Sequence, residues 1–114
     1  MEYEKREIPD SRISSIREAL LAREGLLPPL PGPSRNRTHA AVSVILRVGG
    51  ELELLLIRRA QAKGDPWSGH MAFPGGRWSP SDPTLRDTAV RETVEETGLC
   101  LDTLGAELGR LEPL

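Results

Sequence analysis

Three glutamates, Glu92, Glu95 and Glu96, stand close together in the segment 91–99, which reads RETVEETGL. At about 100° per residue in an α-helix they fall within an arc of roughly 100°, so one helix can bring the three carboxylates to one small volume. A bound cation would relieve their mutual repulsion, and hard oxygen ligands suit Mg²⁺ or Mn²⁺ better than a soft metal. The alternative is a solvated helix surface. The neighbouring segments favour the metal site.

Those neighbours predict a helix over about residues 83–97 that fixes the acidic cluster in space. The segment 81–83, Ser-Asp-Pro, offers a capping residue followed by proline at the first helical position. Gly98 stands where a left-handed residue would end the helix, and Arg91 is placed to pair with Glu95 at i,i+4. Arg91 therefore has two interpretations: a residue that orients Glu95, which we favour, or an ordinary helix ion pair.

The segment 67–77, WSGHMAFPGGR, precedes the helix and predicts a short apolar strand that runs into a Pro-Gly-Gly turn. Adjacent glycines permit close approaches that a Cβ would block, so the chain can pass tightly beside the helix. The carbonyl of Gly76 is a candidate metal ligand. His70 is either a general base or a structural histidine, and Trp67 either stacks on a base or anchors packing; we favour the structural alternative for both.

Gly76 followed by residues 91–99 resembles the Nudix box, in which a glycine and a spacer precede R-E-U-x-E-E-x-G-U, where U is a bulky aliphatic residue. Thr93 stands at an aliphatic position of that pattern. The spacer is one residue longer than usual and lacks its usual glutamate, with Asp82 or Pro83 near that place.

The longer spacer is similar to that of the coenzyme A pyrophosphatase branch of the family. Residues 55–60, LLIRRA, and 73–76, FPGG, resemble that branch's upstream signature. The loop between them is about one residue longer, and Lys63 is the only basic side chain between Arg59 and Arg77 apart from His70. The resemblance spans about residues 38–114.

The resemblance implies an α/β fold, a Nudix-like α/β/α sandwich with a mixed sheet. It also implies a metal-dependent pyrophosphohydrolase that cleaves a diphosphate linkage in coenzyme A or a related nucleoside diphosphate derivative. Mg²⁺ or Mn²⁺ would lower the pKa of the attacking water and screen developing charge. The expected metal ligands are Glu92, Glu95, Glu96 and Gly76, and the expected catalytic residues are Glu95, Glu92 and Arg91. Substrate phosphates are expected to meet Arg58, Arg59, Lys63 and Arg77.

Two apolar runs, 40–48 and 52–57, predict a hairpin over Gly49 and Gly50. Such strands are typical of a sheet covered on both faces, and the helix over 83–97 covers only one. Residues 108–114 read as a strand or its edge, whereas a Nudix domain normally continues with further strands and a helix. We therefore expect a domain incomplete at its C-terminus. If the chain is complete, it should expose apolar sheet surface and tend to associate, for example as a homodimer, or to misfold. The alternative function is a truncated, catalytically incompetent Nudix-like module that binds a ligand or a partner.

The N-terminal residues 1–37 are expected to form a helix and a connector, and residues 38–114 the N-terminal part of the Nudix domain. Ile13, Ile16, Leu20 and Leu21 recur at helical spacing between a capping Asp10 or Ser11 and Gly25. Four prolines then predict a stiff connector, Pro28, Pro29, Pro31 and Pro33.

Composition limits the function classes. The 114 residues, 38% of them hydrophobic, suffice for one domain with a core. No apolar run can cross a membrane, and the first ten residues are too charged for a secretory signal. Cys100 has no partner in the chain, which is typical of a reducing cytoplasm. The net charge of −2 argues against nucleic acid as the partner.

Overall fold

The computed structural model describes residues 8–27 and 32–114, and these contain both helices and antiparallel strands. In chain order they are α1 (Ser11–Glu24), β1 (Ala40–Val42), β2 (Leu46–Val48), β3 (Leu52–Leu54), β4 (Ile57–Arg58), β5 (Met71–Ala72), β6 (Gly75–Arg77), α2 (Leu85–Thr97) and α3 (Leu101–Leu104). The strands of this part of the chain form three antiparallel pairs, β1 with β6, β2 with β3 and β4 with β5. The α/β character is confirmed, while the sandwich with a mixed sheet stays a prediction.

The predicted hairpin over Gly49 and Gly50 is confirmed. β2 and β3 pair antiparallel, with Leu46 opposite Leu54. The run 40–48 is not one strand, however, because it changes partner along its length: β1 pairs with β6, whereas β2 pairs with β3. The two apolar runs therefore divide into four short strands.

The Pro-Gly-Gly segment was predicted as a turn, and this was wrong. Gly75 and Gly76 begin β6, which pairs with β1 so that Gly75 lies opposite Val42 and Gly76 opposite Ala41. A Cβ on Gly75 would lie 2.2 Å from the carbonyl oxygen of Ala41 and 2.5 Å from Cα of Val42. Glycine is required there because two backbones approach more closely than a side chain allows.

Helix α2 packs on β1 and β6 and carries the acidic segment. Its start was predicted at the Ser-Asp-Pro segment 81–83, but the N-cap is Thr84. The Thr84 hydroxyl accepts from the Asp87 backbone N–H at 3.1 Å, and the Asp87 carboxylate accepts from the Thr84 N–H at 3.1 Å. This reciprocal capping box outcompetes the upstream cap because it satisfies two backbone donors together. Gly98 ends the helix with φ of 78°, as predicted.

Helix α1 begins and ends where the sequence indicates, at the Asp10 cap and before Gly25. Ile13 is its most buried residue, with 3% of its surface exposed. Arg12 donates from Nη1 to the carbonyl of Gly50 at 3.2 Å, so the helix contacts the hairpin turn. The connector prediction rests on Pro28, Pro29 and Pro31, which lie outside the described residues, and on Pro33.

The strand predicted over 108–114 is absent, because residues 105–114 have no regular secondary structure. The short helix α3 was not predicted. Apolar strand and loop side chains are exposed over 40% to 58% of their surface: Val42, Val44, Leu54, Leu56 and Met71. Within the described ranges, no helix has the length and apolar character needed to span a membrane.

Candidate active site

Arg91, in the middle of α2, lies among three carboxylates. Its guanidinium donates to Asp82 at 2.8 and 2.9 Å, to Glu92 at 2.9 Å and to Glu95 at 3.2 Å. The predicted i,i+4 pair with Glu95 is therefore present, but it is the longest of the three. Nη2 also donates to the carbonyl of Arg77 at the end of β6, at 3.1 Å. Arg91 thus fixes the acidic face of the helix relative to the strand.

Asp82 belongs to the candidate site by its contacts, although the sequence analysis gave it no role. Only 6% of its surface is exposed, and its carboxylate accepts from Arg91, from the backbone N–H of Ser79 at 3.0 Å and from the hydroxyl of Thr88 at 2.9 Å. The Arg91 guanidinium and the Ser79 N–H together hold the pKa of Asp82 well below its usual range. Its place in the spacer, where a glutamate is usual, was the signal that could have identified it.

Glu92 and Glu96 both lie against β6. A Cβ on Gly76 would lie 2.5 Å from Cδ of Glu92 and 2.7 Å from one of its carboxylate oxygens, so the glycine leaves the space that this carboxylate fills. Glu96 accepts from the backbone N–H of Gly75 at 2.9 Å. The predicted close passage of the glycine segment beside the helix is confirmed.

The three glutamates do not converge as predicted. Glu92 and Glu95 share Arg91 as their hydrogen-bond donor, whereas Glu96 accepts from the Gly75 N–H. Across residues 8–27 and 32–114, no group of three or more His, Cys, Asp or Glu side chains has an arrangement suited to a metal ion. The ligand types still suit a hard divalent cation, because such cations prefer oxygen ligands. Glu92 and Glu96 place carboxylate oxygens beside the backbone of β6.

An open cleft of about 410 Å³ adjoins this face of the helix, and Glu96 lines it together with Arg58, Arg59 and Asp65. Arg59 forms an ion pair with Asp65 at 3.0 Å. Neighbouring residues of a regular strand point to opposite faces, so a strand through both arginines would bring only one of them to the cleft. Both line the cleft, because β4 ends at Arg58 and the alternation does not extend to Arg59.

The remaining predicted substrate residues lie elsewhere. Lys63 is exposed in the loop after β4 and does not line the cleft. Arg77 lines a second cavity together with Trp78 and does not line the cleft beside Glu96. Trp67 is 59% exposed, so its interpretation as a buried packing anchor was wrong. It makes an edge-to-face contact with His70, with ring centroids 5.9 Å apart.

Thr93, at an aliphatic position of the motif, is fully buried. Its hydroxyl donates to the carbonyl of Ala89 at 2.7 Å and lies 3.1 Å from the hydroxyl of Ser43, which follows β1. A polar residue is accommodated because both hydroxyls find partners where α2 packs on β1. The departure from the motif is therefore local and leaves the helix in place.

Comparison with known proteins decides the family. A family model described as the NUDIX domain matches residues 37–114. The chain belongs to the Nudix family. Nudix enzymes generally use divalent metal ions such as Mg²⁺ or Mn²⁺, and they act on small nucleoside diphosphate derivatives.

Similar proteins come from bacteria and from a yeast. The chain is 39% identical over 95 residues to an uncharacterised Nudix hydrolase NudL of Yersinia enterocolitica, covering 82% of this chain and 48% of that protein. It is 37% identical over 95 residues to an uncharacterised Nudix hydrolase NudL of Yersinia pestis, covering 75% and 47%. An uncharacterised Schizosaccharomyces pombe protein is 52% identical over 48 residues, covering 42% and 15%. The chain spans about half the length of the two Yersinia relatives.

Proposed function

We propose that the protein is a metal-dependent pyrophosphohydrolase that cleaves a diphosphate linkage in coenzyme A or a related nucleoside diphosphate derivative. One observation carries the proposal: the glutamates of the Nudix box lie beside β6, with Glu92 filling the space above Gly76 and Glu96 bound to the Gly75 N–H. The cleft lined by Glu96 also holds cationic side chains, which a diphosphate requires.

Glu92 and Glu96 would hold the metal, with the Gly76 carbonyl as a further oxygen ligand. When bound, Mg²⁺ or Mn²⁺ supplies charge neutralisation for the phosphoryl oxygens and makes water more acidic. Glu95 is 56% exposed at its side chain and shares Arg91 with Glu92, so it is the carboxylate that can move most freely. Arg91 has a positioning role, because it ties the acidic helix face to the Arg77 carbonyl.

The cleft arginines would bind the diphosphate. Arg58 forms no ion pair with any residue in the ranges 8–27 and 32–114, so its charge is available to an anion. Arg59 is shared with Asp65, and a phosphate must compete with that carboxylate. We therefore expect Arg58 to contribute more to substrate affinity than Arg59, since the substrate displaces no existing partner there.

The test is to incubate the purified chain with coenzyme A, NADH and ADP-ribose, each with Mg²⁺ or Mn²⁺, and to measure the phosphate-containing products. Glu96→Gln keeps an oxygen that accepts from the Gly75 N–H but removes the charge, and Glu95→Gln tests the remaining glutamate of the motif. Glu18→Gln, an exposed position of α1, is the matched control. Metal-dependent product from the wild type and Glu18→Gln, reduced at least about tenfold in Glu96→Gln, is the expected result.

The alternative is a catalytically incompetent module that binds a ligand without turnover. The hydrogen bonds that occupy the three glutamates favour it, because no metal-ready group is assembled among residues 8–27 and 32–114. A folded sample that turns over none of the substrates with either metal would sink the enzyme proposal for this chain. Calorimetric titration with Mn²⁺ then shows whether the acidic face still binds a cation.

A further inference from the structure

A second cavity, of about 280 Å³, lies beyond the end of β6 and is lined by basic side chains. Arg35 and Arg37 come from the turn before β1, and Arg77 comes from β6 itself. His39 and Trp78 complete the wall, and they extend the β1–β6 ladder through a hydrogen bond from the Trp78 N–H to the His39 carbonyl at 2.9 Å. The cavity is thus anchored to the same strand that contacts the glutamates.

The charge of this cavity is not compensated by the protein. Within residues 8–27 and 32–114, none of Arg35, Arg37 and Arg77 forms an ion pair, and no carboxylate lines the cavity. The cleft beside Glu96 differs, because Asp65 and Glu96 both line it. Three guanidinium groups around one small volume repel each other unless an anion lies among them.

The side chains around the cavity are held in place by neutral contacts. The Ser34 N–H donates to Nε2 of His39 at 3.2 Å, so the neutral imidazole carries its proton on Nδ1. The imidazole meets Trp78 edge to face, with ring centroids 6.2 Å apart. Nε1 of Trp78 donates to the carbonyl of Asp82 at 2.9 Å, which ties the indole to the spacer loop. A hydrogen-bonded aromatic wall, His39 and Trp78, therefore stands beside the three arginines.

We propose that this cavity binds the phosphoryl group of a phosphate monoester, at a site separate from the acidic helix face. A guanidinium group can donate two parallel hydrogen bonds to phosphate oxygens. A group of three arginines therefore suits a doubly charged phosphoryl group better than it suits a singly charged carboxylate ligand. The volume is at the lower limit for a small-molecule site, which accommodates a phosphoryl group and part of the group it esterifies. A concave site on a chain with a net charge of −2 favours a small molecule over a nucleic acid backbone.

The experiment is a titration of the ¹⁵N-labelled full chain with AMP, inorganic phosphate and adenosine, followed by NMR in the presence of EDTA. The chain has two tryptophans, so Trp67→Phe assigns the Trp78 indole signal. We expect saturable shifts of that signal with AMP and phosphate but not with adenosine. Arg37→Gln and Arg77→Gln should each weaken AMP binding at least about tenfold. Arg17→Gln, on α1, removes the same charge elsewhere and should bind as the wild type does.

The outcomes separate this proposal from the enzymatic one, because EDTA removes metal-bridged binding and no turnover is measured. Equal affinity for AMP and phosphate would show that the cavity recognises the phosphoryl group alone. Tighter binding of AMP would show that the nucleoside also contributes to the affinity. Arg77→Lys keeps the charge and should bind with intermediate affinity, which excludes misfolding as the cause of a loss. The proposal is overturned if neither AMP nor phosphate shifts the signal, if adenosine shifts it as AMP does, or if the arginine variants bind as Arg17→Gln does.

Discussion

Alanine at Gly75 should destabilise the fold far more than alanine at the adjacent Gly76. The added methyl group at Gly75 meets backbone, at 2.2 Å from the Ala41 carbonyl oxygen, and backbone cannot move without separating β1 from β6. The methyl group at Gly76 meets the carboxylate of Glu92 at 2.5 to 2.9 Å, which is the end of a flexible side chain. The two variants therefore differ in what has to shift.

The expected magnitudes follow from those contacts. Overpacking costs about 1–3 kcal/mol and each lost strand hydrogen bond about 0.5–1.5 kcal/mol, so Gly75→Ala should lower the free energy of unfolding by about 2–4 kcal/mol. For a domain of this size that is a fall in Tm of roughly 8–16 °C. Gly76→Ala requires a rotamer change of Glu92 and weakens its partly buried pair with Arg91, which together cost about 1–2 kcal/mol.

Thermal and urea unfolding followed by circular dichroism measure the difference. Glu92→Ala provides an internal control, because removing the carboxylate should cancel the effect of Gly76→Ala in the double variant. The same change should leave the effect of Gly75→Ala intact. Equal losses of stability at Gly75 and Gly76, or rescue of Gly75→Ala by Glu92→Ala, would refute the reasoning about backbone and side-chain contacts.

Three further changes test the helix and its surroundings. Asp82→Asn should reduce the loss of stability in acid, because the folded-state pKa of Asp82 lies below the usual value of about 4. The charge of Asp82 therefore stabilises the fold above about pH 4, and this contribution is lost as the pH falls. Urea unfolding from pH 6 to pH 2 measures the difference, and parallel curves for the wild type and the variant would contradict the prediction. Thr93→Val should cost about 1–3 kcal/mol in chemical unfolding because Ser43 loses a partner, whereas adding Ser43→Ala should recover most of the loss; a double variant weaker than the single one would argue against the pairing. Thr84→Ala should lower stability by about 1 kcal/mol in thermal unfolding, and no change would show that the capping box is not formed.

The sequence predicted those elements whose signals are local. The hairpin over Gly49 and Gly50, the Gly98 cap and the Asp10 cap each depend on neighbouring residues, and all three are present. The Pro-Gly-Gly segment was misread because its glycines serve a distant contact with β1 rather than a turn. A strand of three residues is too short to show the alternation of apolar and polar residues by which a strand is recognised in a sequence.

The site was predictable in its residues but not in its contacts. Helical spacing correctly placed Glu92 and Glu96 on the side of α2 that meets β6. It could not show that Arg91 would bind Asp82, nine residues earlier, because that pair depends on how the spacer folds. The separation of Arg77 from the cleft likewise follows from the direction of β6, which spacing alone does not give.

The spacer loop is closed by its own hydrogen bonds, from the Trp78 indole to the Asp82 carbonyl and from the Ser79 N–H to the Asp82 carboxylate. The helix beyond it starts at Thr84 through a separate cap. A change of loop length at the exposed residues Pro80 and Ser81 is therefore absorbed between two fixed ends, and lengthening a loop by one residue adds only a small entropy term. Because the helix starts at its own cap, an insertion or deletion at this position would leave the glutamates in register with β6.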